Sequence, residues 1–220
     1  MIGPAILSSY NSDNDPEYEP ELGSAGDEGT KAEAFRRFEE HCNGTQILPG
    51  DIRTPVYVTV LTHGDKQIFD RMMKQYDEED LVDEKTRIGH ILGAVQDNDL
   101  KAQVLEFALS DKVRNMDSVG VLAGVTGSLE GRQMLWKFVQ DNWTELYRRY
   151  GTSTLLFRLV QVVTDGVASA KTAEEMKEFF ITHEAKSAER AIKQGLENIA
   201  SNVAFLEKQG AGILKFLDQQ

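Results

Sequence analysis

The chain has 220 residues, which is enough to bury a sizeable apolar core in one large domain or two small ones. Hydrophobic residues make up 40% and charged residues 27%, as in an ordinary globular protein. The net charge of −12 excludes nucleic acid as a partner, because binding a phosphate backbone requires a basic surface.

The sequence also lacks the marks of a membrane or secreted protein. No apolar run approaches the roughly 20 residues that cross a bilayer, and residues 1–7 lack the basic lead of a signal peptide. Cys42 is the only cysteine, so there is no disulfide framework and no thiolate cluster for a metal. These features predict a cytoplasmic protein with no membrane partner.

The N-terminal segment differs from the rest of the chain. Residues 1–30 contain seven acidic and no basic side chains, and residues 8–30 show no apolar periodicity. Such a segment buries too little apolar surface to offset the entropy lost on ordering. We therefore predict a mobile acidic arm over residues 1–26 and a helical-repeat domain over residues 27–220.

From Thr30 onward, apolar residues recur every three or four positions, which is the pattern of amphipathic helices. Asp65 precedes one such pattern and is a predicted N-cap, and Asp97 and Asn98 are the capping candidates for a later one. Residues 54–60 alternate as a strand would. They have no second strand to pair with, and Pro55 suits a first helical turn, so a helix is predicted there.

The second half of the chain continues the helical pattern. Residues 135–150 predict one long helix with Trp143 on its central apolar line and Trp136 on its flank. Residues 172–175 resemble a capping box for the next helix, and a last long helix follows from Ala188. Short connections predict antiparallel pairing, so the expected fold is an all-α, irregular HEAT/armadillo-like α-α superhelix of paired antiparallel helices.

The residue pattern contains no catalytic or metal motif. No two of the four histidines have the four-residue helical spacing of a zinc site, and His183 is followed at that spacing by Ser187. We interpret His183 as a solvated helix-end residue. The glycine-rich residues 120–127 lack the strand and the Lys-Ser/Thr of a phosphate loop, so they predict close helix contact and a helix end. No catalytic residue, metal ligand or cofactor is predicted in this chain.

Residues 131–146 resemble a stretch of one family. They match the pattern Gly-Arg-x-x-x-Trp-x-Phe-(Val/Leu)-x-x-Asn-Trp-x-x-Leu, found in the C-terminal helical domain of gluzincin aminopeptidases of the puromycin-sensitive and aminopeptidase N types. Residues 51–57, 84–97 and 176–180 resemble further stretches of that domain in the same order. The resemblance covers about residues 22–217, while the family's zinc motif His-Glu-x-x-His and its Gly-x-Met-Glu-Asn motif are absent from the sequence.

The resemblance implies a non-catalytic C-terminal domain of a zinc aminopeptidase that removes N-terminal residues from peptides. Such a domain covers the active-site chamber and contacts distal parts of the substrate. Its partners are the catalytic domain of the same polypeptide, which holds the zinc, and peptide substrates. Arg132 and Arg158 are the candidate substrate contacts, with a surface or carbonyl-capping role as the alternative. The alternative function is a stand-alone helical-repeat adaptor that binds a protein partner.

Overall fold

The computed structural model describes residues 26–217, and no β-strand occurs within that range. Its eleven α-helices are α1 Glu28–Cys42, α2 Gly50–His63, α3 Lys66–Glu78, α4 Val82–Ile91, α5 Asn98–Ala108, α6 Asn115–Ala123, α7 Leu129–Asp141, α8 Trp143–Tyr150, α9 Thr154–Thr164, α10 Ala170–Thr182 and α11 Glu189–Leu217. Short 3-10 helices occupy Leu92–Ala94, Gly124–Gly127 and Lys186–Ala188. The all-α class is confirmed, and the superhelical arrangement stays a prediction.

The chain divides into two compact units, Met1–Val104 and Leu105–Gln220, with the boundary inside α5. The predicted mobile arm falls on residues 1–26, of which residues 1–25 lie outside the described part of the chain. The predicted boundary at residue 26 therefore stays a prediction.

The first unit is built around α2. Tyr57 of α2 packs edge-on against Phe38 of α1, with ring centroids 6.0 Å apart, and its hydroxyl accepts a hydrogen bond from Gln75 Nε2 of α3 at 3.0 Å. Helices α2 and α4 run in the same direction, because Arg53 pairs with Glu84 near their starts, and Thr62 in the last turn of α2 donates to the Ala94 carbonyl just beyond α4. Residues 54–60 lie within α2, so the predicted helix is confirmed, with Pro55 in the second turn.

A buried ionic cluster fixes the register of α2 against α4. Glu84 is 5% exposed, and its Oε2 lies 3.0 Å from the Arg53 guanidinium and 3.1 Å from Arg87 Nε. Arg87 also donates to the Thr54 hydroxyl at 2.7 Å. A shift of α2 along α4 would separate Glu84 from Arg53. This shift is disfavoured, because a buried charge without a partner destabilises the folded state.

His41 makes the first unit sensitive to pH. Its Nδ1 accepts a hydrogen bond from the Leu48 amide at 3.2 Å, and partial burial together with the charge of Arg53 lowers the pKa of His41. An unfolded histidine titrates near pH ~6.5, so the unfolded chain binds the proton first as the pH falls. Stability associated with neutral His41 is therefore present above about pH 6.5 and is lost below it.

We expect lowering the pH from 7.5 to 5.5 to reduce the free energy of unfolding, measured by urea titration at each pH. The His41→Asn variant keeps an acceptor near Leu48 and removes the titrating ring, so it should lose less stability over the same pH range. Equal pH dependence in the two proteins would contradict this role for His41.

The second unit is organised around α9 and α11, which run in the same direction. The Ser187 hydroxyl donates to the Gly151 carbonyl at 2.7 Å near their starts, and Asn202 Nδ2 donates to the Val167 carbonyl at 2.9 Å beyond the end of α9. Between these points, a Cβ atom at Gly195 would lie 2.5 Å from Thr164 Oγ1. A glycine is therefore needed for the two helices to approach this closely.

An aromatic cluster joins α10 to α7 and α8. Phe179 lies edge-on to both Trp136 and Trp143, with ring centroids 5.2 and 5.3 Å away, and Phe180 contacts both tryptophans. His183 ends α10 as predicted, but it is half-buried rather than solvated, since its ring stacks on Phe179 at 3.9 Å.

Two details of the sequence prediction are wrong. The expected long helix over residues 135–150 is interrupted at Asn142, whose Nδ2 donates to the Phe138 carbonyl at 2.9 Å. The expected capping box at residues 172–175 lies inside α10, because Ser169 is the N-cap and accepts from the Thr172 amide. The predicted cap Asp65 is confirmed, since it accepts two backbone amides at a helix start. Of the two candidates Asp97 and Asn98, Asp97 is the cap, because it accepts the amides of Asp99 and Leu100, and Asn98 is the first residue of α5.

Candidate peptide-contacting site

Arg132 lies in the first turn of α7, and its guanidinium packs against Gly166. The Ser128 hydroxyl starts this helix by accepting the Gly131 amide at 3.0 Å. A Cβ atom at Gly166 would lie 3.1 Å from Arg132 Cζ, and Gly166 has a left-handed φ of +64°. Both the space and the backbone conformation favour glycine there, so Gly166 fixes where the half-buried Arg132 side chain lies.

The glycine that precedes Arg132 also has a packing role. A Cβ atom at Gly131 would overlap the carbonyl oxygen of Val125 in the preceding 3-10 helix. Gly131 therefore brings the start of α7 against that segment, and it sets the position from which Arg132 projects.

Arg158 is exposed in the middle of α9. Among the described residues, the guanidinium groups of Arg132 and Arg158 form no hydrogen bond or ion pair with another side chain or carbonyl. Other arginines of the chain are engaged: Arg53 pairs with Glu84, and Arg149 bonds Glu145 and the Leu109 carbonyl. The two candidate arginines therefore keep their donors available for a ligand.

A polar groove runs between α9 and α11 beside Arg158. Its volume is about 330 Å³, and it is lined by Gln161, Val162, Thr164, Asp165, Ala191, Gln194, Gly195 and Asn198. Arg158 precedes Gln161 by three residues, which places it on the groove side of α9. The side-chain amides supply both donors and acceptors, which is what the backbone of an extended peptide requires.

Arg190, a third arginine without a hydrogen bond or ion pair among the described residues, precedes Gln194 by four positions on α11. This spacing places it on the groove side of that helix. Arg190 was not predicted as a contact residue, because it lies outside the stretches that resemble the family most. Its spacing from Gln194 was the available signal, but only the structure shows that Gln194 lines a groove.

The structure does not bring Arg132 and Arg158 into one cluster. Arg132 packs beside Gly166, beyond the end of α9, whereas Arg158 lies about two helical turns earlier along that helix. Arg158 and Arg190 lie beside the groove, whereas Arg132 lies apart from it and is a separate candidate contact.

Within residues 26–217, no group of three His, Cys, Asp or Glu side chains has an arrangement that suits a metal ion. None of the helices in this described range combines the length and apolarity required to span a bilayer.

The fold is all-α over the described residues, and a polar groove lies between α9 and α11. Comparison with known proteins shows that the chain belongs to the ERAP1-like C-terminal domain family, whose model matches residues 20–201. The predicted relationship to the C-terminal domain of zinc aminopeptidases is thereby confirmed.

Individual relatives agree with this assignment. Aminopeptidase M1 of Arabidopsis thaliana is 37% identical over 191 residues, which are 84% of this chain and 22% of the relative. Aminopeptidase M1-B of Oryza sativa subsp. japonica is 33% identical with the same coverage. Human Aminopeptidase N is 24% identical over 190 residues, 84% of this chain and 20% of that protein. The chain thus spans about a fifth of the length of these relatives.

Proposed function

We propose that this chain is the non-catalytic C-terminal domain of a cytoplasmic zinc aminopeptidase, where it covers the active-site chamber and contacts distal parts of peptide substrates. The zinc and the catalytic groups belong to the part of the longer polypeptide that precedes this domain. Family membership supports the aminopeptidase assignment. The observation that carries the substrate-contacting role is the amide-lined groove between α9 and α11, with Arg158 and Arg190 beside it.

Substrate length decides how much the helical domain contributes to turnover. A single aminoacyl-amide reaches only the catalytic groups, whereas a longer peptide extends to the helical domain. Contacts far from the scissile bond accelerate the reaction by orienting the substrate. Exposed arginines without intramolecular partners attract carboxylates on the distal part of the peptide.

The test uses a chimera in which this domain replaces the matching 191-residue region of Aminopeptidase M1 from Arabidopsis thaliana. We expect the double substitution Arg158→Glu, Arg190→Glu to lower kcat/KM about tenfold for an acidic decapeptide, about 1.4 kcal/mol. The same substitution should leave kcat/KM for an aminoacyl-amide unchanged. Arg132→Glu is measured separately, because Arg132 lies away from the groove.

Lys171→Glu is the control for each arginine substitution made singly, since it makes the same charge change on a side chain that is 88% exposed on α10. It should affect neither substrate. Equal losses on both substrates would show that the arginine substitutions act through folding or domain docking. No loss on either would contradict the groove contact and favour the stand-alone adaptor, which is tested by direct binding of protein partners to the isolated chain.

A further inference from the structure

Helix α1 ends in a hydrogen-bonded turn that requires a glycine. Asn43 is the C-cap, and Gly44 beyond it has a left-handed φ of +70°. The Gly44 amide donates to the His41 carbonyl at 3.1 Å. The Thr45 amide donates to the Glu40 carbonyl at 3.0 Å. These two bonds form a Schellman motif, in which glycine adopts the left-handed conformation without strain.

This helix end places an asparagine directly before a glycine. Asn43-Gly44 is the only Asn-Gly pair in the sequence. A glycine has no side chain to shield its own amide nitrogen, so this nitrogen is the least hindered nucleophile that can follow an asparagine. Asparagine is also one of the thermolabile residues of proteins. The turn that ends α1 therefore contains the dipeptide most prone to deamidation.

The Asn43 side chain is accessible and unrestrained. Residues 42–47 are all exposed. The Asn43 carboxamide forms no hydrogen bond within the described residues, and Asn43 lines an open cavity of about 560 Å³. The side chain can therefore change rotamer, and water can reach its carbonyl carbon.

We propose that Asn43 is a site of spontaneous deamidation, and that its conversion to isoaspartate destabilises the end of α1. The Gly44 nitrogen attacks Asn43 Cγ, so an N–Cγ bond forms, the Cγ–Nδ2 bond breaks, and ammonia leaves with the proton from the Gly44 amide. Water then opens the five-membered succinimide ring. Attack at Cγ yields aspartate, and attack at the main-chain carbonyl carbon yields isoaspartate, in which the main chain runs through Cβ and Cγ.

The folded structure slows the first step. The ψ angle of −3° at Asn43 holds the Gly44 nitrogen away from Cγ. The bond from that nitrogen to the His41 carbonyl must break before the Cα–C bond of Asn43 can rotate. Because helix ends open locally at low cost in free energy, we expect Asn43 to deamidate only about tenfold more slowly in the folded chain than in an unstructured peptide of the same sequence.

The products disturb the connection between α1 and α2. Either product adds a negative charge at the C-terminus of α1, where the helix dipole is already negative. Isoaspartate also lengthens the main chain inside the Schellman motif, so the hydrogen bonds from Gly44 and Thr45 are lost. The segment that follows is held by the bond from the amide of the buried Leu48 to His41 Nδ1. The modification therefore affects the core of the first unit, and this effect does not rest on the proposed aminopeptidase role.

The test is incubation of the 220-residue chain at pH 7.4 and 37 °C, followed by tryptic digestion and mass spectrometry of the fragment that spans residues 38–53. The acetylated synthetic peptide of the same residues is the reference. We expect the fragment to show the mass increase of an amide converted to an acid, with separate aspartate and isoaspartate products, about tenfold more slowly than the reference. In 8 M urea the chain and the peptide should react at the same rate.

Two variants separate the site from its effect on stability. Asn43→Gln keeps a carboxamide but would need a six-membered ring, so it should stay unmodified and keep its Tm throughout the incubation. Asn43→Asp, freshly prepared, adds the charge with a normal main chain. The deamidated wild-type chain, separated by anion exchange, should lose about 5 °C in Tm, because two hydrogen bonds are lost beside a new charge. Asn43→Asp should lose less.

Asn43 that stays intact in the folded chain after the reference peptide has fully reacted would overturn the proposal. Faster reaction at Asn98, Asn115 or Asn142 would do so as well, since none of them precedes a glycine. A deamidated chain with the same Tm as fresh protein would overturn the proposed effect on the end of α1.

Discussion

Replacing Trp143 by alanine is expected to lower the free energy of unfolding by about 3–5 kcal/mol, as truncation of a buried tryptophan typically does. Trp143 is 7% exposed and lies within 6.2 Å of four rings, those of Tyr147, Phe179, Phe180 and His183. Its removal leaves a cavity where α8 meets α10. For a chain of this size, the expected fall in Tm is about 10 °C.

The measurement is thermal and urea unfolding followed by circular dichroism at 222 nm. Ile181→Ala is the matched control, because Ile181 lies on α10 but is 75% exposed, and its truncation should change stability by less than about 0.5 kcal/mol. A Trp143→Ala protein as stable as this control would show that the aromatic cluster does not hold α10 in place.

The heptad-like periodicity of residues 135–150 predicts that Trp143 matters far more than Trp136. The structure gives both side chains the same exposure of 7%, so a large gap between the two alanine variants is not expected. Trp136 contacts Phe179 and Phe180, and its buried Nε1 has no hydrogen-bond acceptor among the described residues. That unsatisfied donor offsets part of the gain from burial, so Trp136→Ala should cost somewhat less than Trp143→Ala.

Gly131→Ala is the second substitution for which a large effect is expected. The added methyl group overlaps the Val125 carbonyl oxygen, and because the obstacle is backbone, the start of α7 must move. Overpacking usually lowers the free energy of unfolding by about 1–3 kcal/mol. Because the clash here is with the backbone, we expect a loss of about 3 kcal/mol for Gly131→Ala. The displacement should also shift the neighbouring Arg132.

Gly127→Ala provides a control four residues away, since a Cβ atom there has no neighbour within 4 Å. Urea unfolding should show the Gly127 variant within about 0.5 kcal/mol of wild type and the Gly131 variant clearly below it. If the two variants unfold at the same urea concentration, the close contact between α7 and the preceding 3-10 helix is wrong.

Apolar periodicity predicts most of this fold, because nearly every helix has one face in a core. It fails where polar groups act locally. The Asn142 side-chain amide donates a hydrogen bond to the Phe138 carbonyl, and α7 ends there. The apolar spacing continues through this position, so the sequence predicts a single helix. At α10, the sequence predicts a cap at Thr172, whereas Ser169 caps the helix by accepting the Thr172 amide.

The candidate site was less predictable than the fold. The resemblance selected Arg132 and Arg158. Spacing along the chain does not reveal that Arg132 packs against Gly166, or that Arg158 lies beside the groove that Gln194 lines. Those relationships arise between helices that the sequence separates by 30 residues or more, as the contact of Gly166 with Arg132 illustrates. Arg190 lies in no recognisable motif, and only its position beside the groove identifies it as a candidate contact residue.

The hydrogen bonds between helices have a consequence for how the chain folds during synthesis. Several of them join residues that are close in sequence: Ser118 with Tyr150 at a separation of 32, Asn202 with Val167 at 35, and Arg149 with Leu109 at 40. Each new helix therefore meets partners translated only seconds earlier, at a synthesis rate of roughly 5–20 residues per second. This order of synthesis favours stepwise folding from the N-terminal side, with little time for exposed apolar faces to aggregate on the ribosome.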